Sequence, residues 1–322
     1  MTREERSTAL SRLASGLEVA LGPGAVQANQ PLARYTAFRI GGPAEILVVA
    51  DSVKALRQAV TLAWEHQVPC RVLGGGSNVL VSDDGTCGLV VVNRARGVAF
   101  STSRQQGTQT EGFSVQAESG ASFSTVARRC VARGLAGLEW AASIPGTVGG
   151  AVVGNAGAWG GDVASTLMRA LVLGPDGAAE EWPVGRFEYG YRRSRLKQAH
   201  RAPRSVVLEA EFALRPGDRE ALEAWVAGMV TRRKASQPPG ASCGSVFKNP
   251  PGDFAGRLIE ATGLKGKRVG GAEISTVHAN FIVNQGGATA ADVKALIDLA
   301  RRAVQEGFGV GLELEIELVG EW

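Results

Sequence analysis

Hydrophobic positions along the chain fall into helical stripes and short strand-like runs that alternate from end to end. Arg3 to Leu21 reads as a short amphipathic helix, and Glu45 to Ala50 as a continuous, β-branched strand. From Ser52 to Gln67, Val53, Leu56, Val60 and Ala63/Trp64 share one helical stripe, with Ser52 placed to cap it. Cys70 to Leu73, Val79 to Val81 and Leu89 to Val92 are strand-like and surround a run of glycines and the turn Asp83-Asp84-Gly85. The second stretch repeats the mixture. Phe113 to Glu118 alternates as a strand, and Ser122 to Arg133 is a helix burying Phe123, Val126, Ala127, Cys130 and Val131, closed by Gly134. Strands follow at Ala170 to Leu173 and Val206 to Leu214.

Arg215-Pro216-Gly217-Asp218 reads as a boundary. Beyond it, Glu220 to Lys234 is predicted helical with Leu222, Trp225, Val226, Met229 and Val230 inward, and Gln237-Pro238-Pro239-Gly240 stops it. A last helix is predicted from an N-cap at Thr289 through Val293, Leu296, Ile297 and Ala300 to Gly307. A final strand from Leu312 to Val319 sets Leu312, Leu314, Ile316 and Leu318 on one face and Glu313, Glu315 and Glu317 on the other. The pattern is α+β, in more than one domain.

Composition narrows this picture. With 44% hydrophobic and 20% charged residues in 322, the chain is long and apolar enough for sizeable cores, which excludes a largely disordered protein. A formal net charge of +4 makes a weak case for nucleic acid and fits an anionic small-molecule substrate equally well. The four cysteines Cys70, Cys87, Cys130 and Cys243 are scattered, and His66, His200 and His278 form no ligand spacing, so no metal and no disulfide framework is expected. The start of the chain has no apolar signal core, and no apolar run approaches a membrane span. The expectation is a soluble, cytoplasmic protein without nucleic-acid or membrane partners, and a monomer by default.

The chemistry begins at Leu73-Gly74-Gly75-Gly76-Ser77-Asn78. Successive glycines after a strand let backbone N–H groups turn toward an anion, although an ordinary tight turn has the same composition. A Rossmann reading fails because there is no third glycine at the required spacing and a strand follows instead of a helix. No P-loop is present either. A second cluster, Ile144-Pro145-Gly146-Thr147-Val148-Gly149-Gly150-Ala151, continues to Gly154-Asn155-Ala156-Gly157. Two such loops suggest convergence on one extended phosphate-bearing cofactor, the alternative being glycines that permit tight packing.

Together with Tyr35-Thr36-Ala37-Phe38-Arg39-Ile40-Gly41-Gly42-Pro43-Ala44, these loops resemble the UDP-N-acetylenolpyruvoylglucosamine reductases, flavoenzymes of peptidoglycan precursor synthesis. Tyr191-Arg192-Arg193-Ser194, Gly244-Ser245-Val246-Phe247-Lys248-Asn249-Pro250 and His278-Ala279-Asn280-Phe281-Ile282-Val283-Asn284 follow in the same order. The resemblance implies a two-part FAD-binding region of the PCMH type, vanillyl-alcohol-oxidase-like, over residues 38–216 (subdomains at about 38–95 and 96–216). A lead-in of residues 1–37 precedes it, and a smaller α/β substrate domain over 217–322 follows. The short gap from Arg192 to Ser245 resembles the branch of the family without an extra tyrosine-bearing loop. The resemblance further implies non-covalent FAD held by Ile40, Gly41, Gly74, Gly75, Gly76, Ser77, Asn78, Ile144, Pro145, Gly146, Thr147, Gly149, Gly150 and Ala151, NADPH as hydride donor, and a nucleotide-sugar substrate. Tyr191, Lys248 and Asn249 fall where it implies substrate contacts.

Reducing an enolpyruvyl ether adds hydride to its CH₂ carbon and a proton to the carbon bearing the carboxylate. Charge accumulates on an enolate conjugated to that carboxylate, so the site wants a fixed cation, a proton donor and exclusion of water. Arg192 has the planar guanidinium to hold the carboxylate, whereas Tyr-Arg-Arg-Ser-Arg alone reads as a solvated basic loop. Ser245 alone reads as a turn serine; the resemblance implies that it donates the proton. Glu315 falls where the family carries an essential glutamate, with Glu313 and Glu317 left to solvent. His278 reads as structural or substrate-adjacent. The competing readings are an FAD-dependent carbohydrate or alcohol oxidase on the same scaffold and a non-catalytic nucleotide-sugar binding protein.

Overall fold

Helices form where period and capping agree. In the computed structural model, which describes residues 2–104, 111–198 and 205–322, Val53–Glu65 is a helix started by Ser52, whose side chain accepts from the Ala55 N–H. Its buried face carries Leu56, Ala59, Val60 and Ala63, and these pack with Leu13 and Leu17 of the first helix, Arg3–Leu21. The helix Phe123–Val131 is capped by Ser122, and Gly134 ends the following turn with φ +66°. His200 lies outside the described residues.

By its backbone contacts the chain divides into two compact units whose segments interleave. The first comprises Met1–Gln27, Ile46–Gly75 and Gly88–Val230; the second comprises Ala28–Glu45, Gly76–Cys87 and Thr231–Trp322. In the first unit, Cys70–Leu73 lies parallel to Thr86–Asn93, from Cys70 opposite Leu89 to Leu73 opposite Val92. A larger antiparallel sheet runs in the order Ala179–Pro183, Leu167–Leu173, Val206–Pro216, Glu111–Glu118 and Val98–Arg104. Its inner face meets Phe123, whose ring lies 5.6 Å from Trp140 edge-on and 5.5 Å from Phe212.

In the second unit, a three-stranded antiparallel sheet (Arg268–Val269, Ala272–Ile274, Ile282–Asn284) packs with the helices Ala255–Ala261 and Ala290–Phe308. The longer helix begins at Thr289 with a capping box to Asp292. Asp83 adds a second cap, its carboxylate accepting from Ala290 N at 2.7 Å and Ala291 N at 2.9 Å. Val79–Val81 pairs parallel with Glu317–Val319 in the same unit.

Two expectations change. In the helix Arg219–Ser236 only Met229 is buried, and Trp225, expected inward, is 41% exposed. The expected strand from Leu312 to Val319 is reduced to Glu317–Val319, preceded by a single bridge of Leu314 to Phe247. The reason is a change of partner. Up to Leu314 the segment faces Phe247; from Glu317 it faces Val79–Val81, and one ladder cannot continue through that switch. The alternation survives in burial, since Leu312 and Ile316 are both inside.

Candidate active site

The first glycine loop leaves its amides available. Among the described residues, no protein acceptor takes the N–H groups of Gly74, Gly75, Gly76, Ser77 or Asn78. Successive open donors of this kind are what a backbone anion site requires. The loop is held in shape from elsewhere. Gly76 has φ +59°, and a Cβ there would sit 2.0 Å from the Tyr35 carbonyl oxygen; its own carbonyl accepts from Ala37 N at 2.9 Å. Thr36, buried, folds the Tyr35–Gly41 segment by accepting from Ile40 N at 3.2 Å and donating to Ile40 O at 2.8 Å. Ile40 therefore has both backbone groups occupied, and Gly41 has φ +144°.

The second glycine loop meets the first. A Cβ on Gly74 would approach Thr147 Oγ1 to 2.3 Å, and one on Gly75 would lie 3.1 Å from Gly146 Cα. Its own amides are largely engaged. Val148 N donates to Ala121 O, Gly149 N to Ser119 O at 2.8 Å, Gly150 N to Thr147 Oγ1 and Ala151 N to Thr147 O. Ile144 N donates to Ala141 O, and Pro145 has no N–H. Gly146 and Thr147 keep N–H groups with no acceptor among the described residues. Of the glycines in this cluster, Gly149 serves packing, since a Cβ there would meet Ser119 Cβ at 2.9 Å. Within the first unit these residues fit the phosphate end of a cofactor: the available amides are at Gly74, Gly75, Gly146 and Thr147, where side chains on the two glycines of the first loop would collide.

The helix that follows, Val148–Gly154, supports Arg192. Its end is capped by Asn155 in the left-handed conformation, φ +45°. Asn155, buried, donates from Nδ2 to Gly190 O at 3.0 Å and accepts at Oδ1 from Ala164 N at 3.0 Å. Tyr189 Oη donates to Val152 O at 2.9 Å, and Ser194 Oγ to Val153 O at 2.5 Å. Burial, with the negative charge of Asp162 beside it, pushes the Tyr189 phenol well above its ordinary pKa, so it remains a donor. Gly190 and Arg193 close a tight two-bond turn, and Arg192 stands in it with φ +53°, half-buried, its guanidinium 5.7 Å from the Tyr191 ring. Tyr191 is 59% exposed. A non-glycine residue in the left-handed region is held there by its surroundings.

In the second unit, the Glu315 segment bonds to Val246, the residue that follows Ser245. Glu315 N donates to the Val246 carbonyl at 2.9 Å, and Ile316 N reaches the same oxygen at 3.5 Å. This is the place where the C-terminal segment changes strand partner. Asn78 joins it: its Nδ2 donates to Glu315 O at 3.0 Å, and its carbonyl accepts from Glu317 N at 2.9 Å. The Ser245 hydroxyl is half-buried and makes no hydrogen bond to protein among the described residues. Lys248 pairs with Glu313 through Nζ, and its backbone N donates to Glu313 O. Asn249 Oδ1 accepts from Ala255 N at 3.1 Å, at the start of the helix Ala255–Ala261.

Sequence reasoning overlooked Asn155 and Asn280 as site residues. Both stood inside quoted motifs, and their only signal was an asparagine beside glycine or in a strand-like run. Asn280 is described below.

A family model described as FAD binding domain matches residues 44–181, and one described as UDP-N-acetylenolpyruvoylglucosamine reductase, C-terminal domain, matches residues 235–319. The chain is 48% identical over 299 residues to the UDP-N-acetylenolpyruvoylglucosamine reductase of Rubrobacter xylanophilus, covering 92% of this chain and 96% of that one. It is 44% identical over 299 residues to the Chloroflexus aggregans protein of the same name, covering 92% and 98%. Among solved structures, the UDP-N-acetylenolpyruvylglucosamine reductase of Thermus caldophilus superposes with a TM-score of 0.74 at 35% identity, over 91% of this chain and 98% of that one. At these identities, over nine-tenths of its length, the chain belongs to the UDP-N-acetylenolpyruvoylglucosamine reductase family.

Proposed function

We propose that this chain reduces the enolpyruvyl ether of UDP-N-acetylglucosamine enolpyruvate to UDP-N-acetylmuramate, with Arg192, Ser245 and Glu315 as its catalytic residues. Bound FAD, reduced by NADPH, supplies the hydride to the CH₂ carbon. The observation that carries the assignment of residues is the bond from Glu315 N to the Val246 carbonyl, which ties the Glu315 segment to the residue that follows Ser245.

Each residue has a distinct task. The Ser245 hydroxyl, without a protein partner among the described residues, is available to hand its proton to the carbon bearing the carboxylate. Arg192 holds the carboxylate with two parallel donors and stabilises the enolate that forms from it. Glu315 assists the proton transfer beside Ser245. Tyr191 contributes an exposed ring, and Lys248 and Asn249 continue the Ser245 segment toward the nucleotide end of the substrate. The amides of Gly74–Asn78, with those of Gly146 and Thr147, hold the diphosphate of FAD, supported by the Ile40–Gly41 segment and by the packing of Ile144, Pro145, Gly149, Gly150 and Ala151. Residues 38–216 carry the flavin and 217–322 the substrate, after a lead-in of 1–37. The enzyme works as a cytoplasmic monomer on small molecules only, in keeping with the nucleotide-sugar substrate; no helix of the described residues is long and apolar enough to cross a membrane. An oxidase using the same flavin scaffold would need no proton donor at Ser245.

Anaerobic stopped-flow absorbance separates the two half-reactions. Ser245→Ala is expected to bleach with NADPH at a near-normal rate and to reoxidise with the sugar nucleotide ~10² to 10⁴-fold more slowly. Arg192→Ala is expected to weaken substrate binding as well, because the carboxylate is present before the enolate. Slow bleaching with normal reoxidation in Ser245→Ala would remove the proton-donor role.

A further inference from the structure

We infer that Asn280 is a positioning residue for Ser245, acting through the backbone of Val246 and Phe247. The inference rests on the proton-donor role of Ser245 proposed above.

The Ser245 hydroxyl has no protein partner among the described residues, so its placement depends on the backbone that carries it. On one side, Gly244 has φ +74° and open space around it, which fixes little. On the other side, Val246 and Phe247 are buried, and their polar backbone groups require partners. They lie in no continuous ladder, only the single bridge to Leu314. Asn280 supplies what a neighbouring strand would have supplied. Its Oδ1 accepts from Phe247 N at 2.9 Å and its Nδ2 donates to Phe247 O at 2.8 Å. Its main-chain carbonyl accepts from Val246 N at 2.8 Å.

A carboxamide is the one side chain that mimics both groups of a peptide unit at once. Asn280 is itself 3% exposed, and its N–H donates to His278 Nδ1 at 3.2 Å, so it is held as firmly as it holds. Val246 is thus gripped from both sides: its N–H by Asn280, and its carbonyl by Glu315. Moving Asn280 moves the residue that links the proposed proton donor to Glu315.

The test uses the full-length, FAD-loaded protein. Asn280→Asp keeps the size and the acceptor for Phe247 N–H but loses the donor to Phe247 O when ionised. Burial raises the pKa of that carboxyl, and below it the acid O–H again donates to the Phe247 carbonyl. The expected result is near-normal bleaching by NADPH and reoxidation by the sugar nucleotide slowed about 10²-fold at alkaline pH. The rate should recover as pH falls, and amide exchange at Val246 and Phe247 should quicken over the same range in which reoxidation slows. His278, bonded to the Asn280 N–H, and Lys248, Glu313 and Glu315 are the ionisable groups on the adjoining segments, and all are unchanged in the variant, so the wild-type profile is the reference.

A residue acting through Ser245 should add no further slowing when Asn280→Asp is combined with Ser245→Ala. Multiplying effects in the double variant, or normal reoxidation by Asn280→Asp across pH, would overturn the inference while leaving Ser245 in place. Normal reoxidation by Ser245→Ala alone would sink the underlying proposal instead. If Asn280→Asp loses flavin, Asn280→Ser is read in its place. Flavin loss in both variants makes Asn280 a folding residue and overturns the positioning role.

Discussion

The two glycine loops share a composition and differ in what their amides do. In the loop Gly74–Asn78, five consecutive N–H groups have no protein acceptor among the described residues. In the loop Ile144–Ala151, the amides of Val148, Gly149, Gly150 and Ala151 are all engaged within the protein. There a glycine such as Gly149 removes a side chain that would collide with Ser119. Glycine permits close approach in both loops, a Cβ on Gly74 lying 2.3 Å from Thr147 Oγ1 and one on Gly149, in the short helix of the second, 2.9 Å from Ser119 Cβ; only in the first loop does it also come with a run of open donors. The short helix in turn holds the arginine-bearing turn, so the second loop contributes to the site by support more than by contact.

The largest effect expected from this comparison is at Gly76, where both uses coincide. Gly76→Ala combines a left-handed backbone, at about 1–2 kcal/mol, with a Cβ 2.0 Å from the Tyr35 carbonyl oxygen. It should lose FAD and lower the unfolding midpoint of the apoprotein, read by flavin release on heating and by thermal unfolding. A stable, yellow Gly76→Ala protein would contradict the placement of that loop.

Next comes Gly149→Val, where over-packing against Ser119 should cost about 1–3 kcal/mol. Because the role is packing, the loss should appear equally in apo and FAD-loaded protein. Unchanged apo stability together with lost flavin would break the comparison and return the second loop to direct contact.

Gly75→Ala is the mildest and sharpens the contrast most. Gly75 is exposed and has no positive φ, and its added Cβ would meet only Gly146 Cα at 3.1 Å. Apo stability should stay within about 0.5 kcal/mol of wild type. The dissociation constant for FAD, measured by fluorescence titration, should rise up to about tenfold, or 1.4 kcal/mol. Equal losses in both measurements would make the two loops alike.

The family was legible in the order of the motifs, and several helices in their caps. Ser52 and Thr289 cap as their positions suggested, because a cap bonds an amide only two or three residues away; Ser122, expected inside its helix, is the cap of Phe123–Val131. The break in the last strand at Glu315 was not legible. Leu312, Leu314, Ile316 and Leu318 alternate without interruption, and nothing local signals that the partner changes from Phe247 to Val79–Val81. Nor did Asn155 or Asn280 stand out, since an asparagine's value here lies in carbonyls and amides 33 or 35 positions away.

By itself, then, the sequence determined what short-range physics decides: the helical stripes and their caps, the turns that require glycine, and the residue types available for chemistry. Tertiary structure alone decided which glycine amides remain available, that Asn280 replaces a missing strand neighbour, and that Glu315 bonds to the residue after Ser245. The physical reason is reach. Periodicity and capping depend on neighbours within one turn of chain, whereas a backbone donor takes whichever acceptor the fold brings within about 3 Å, and distant segments compete for that place.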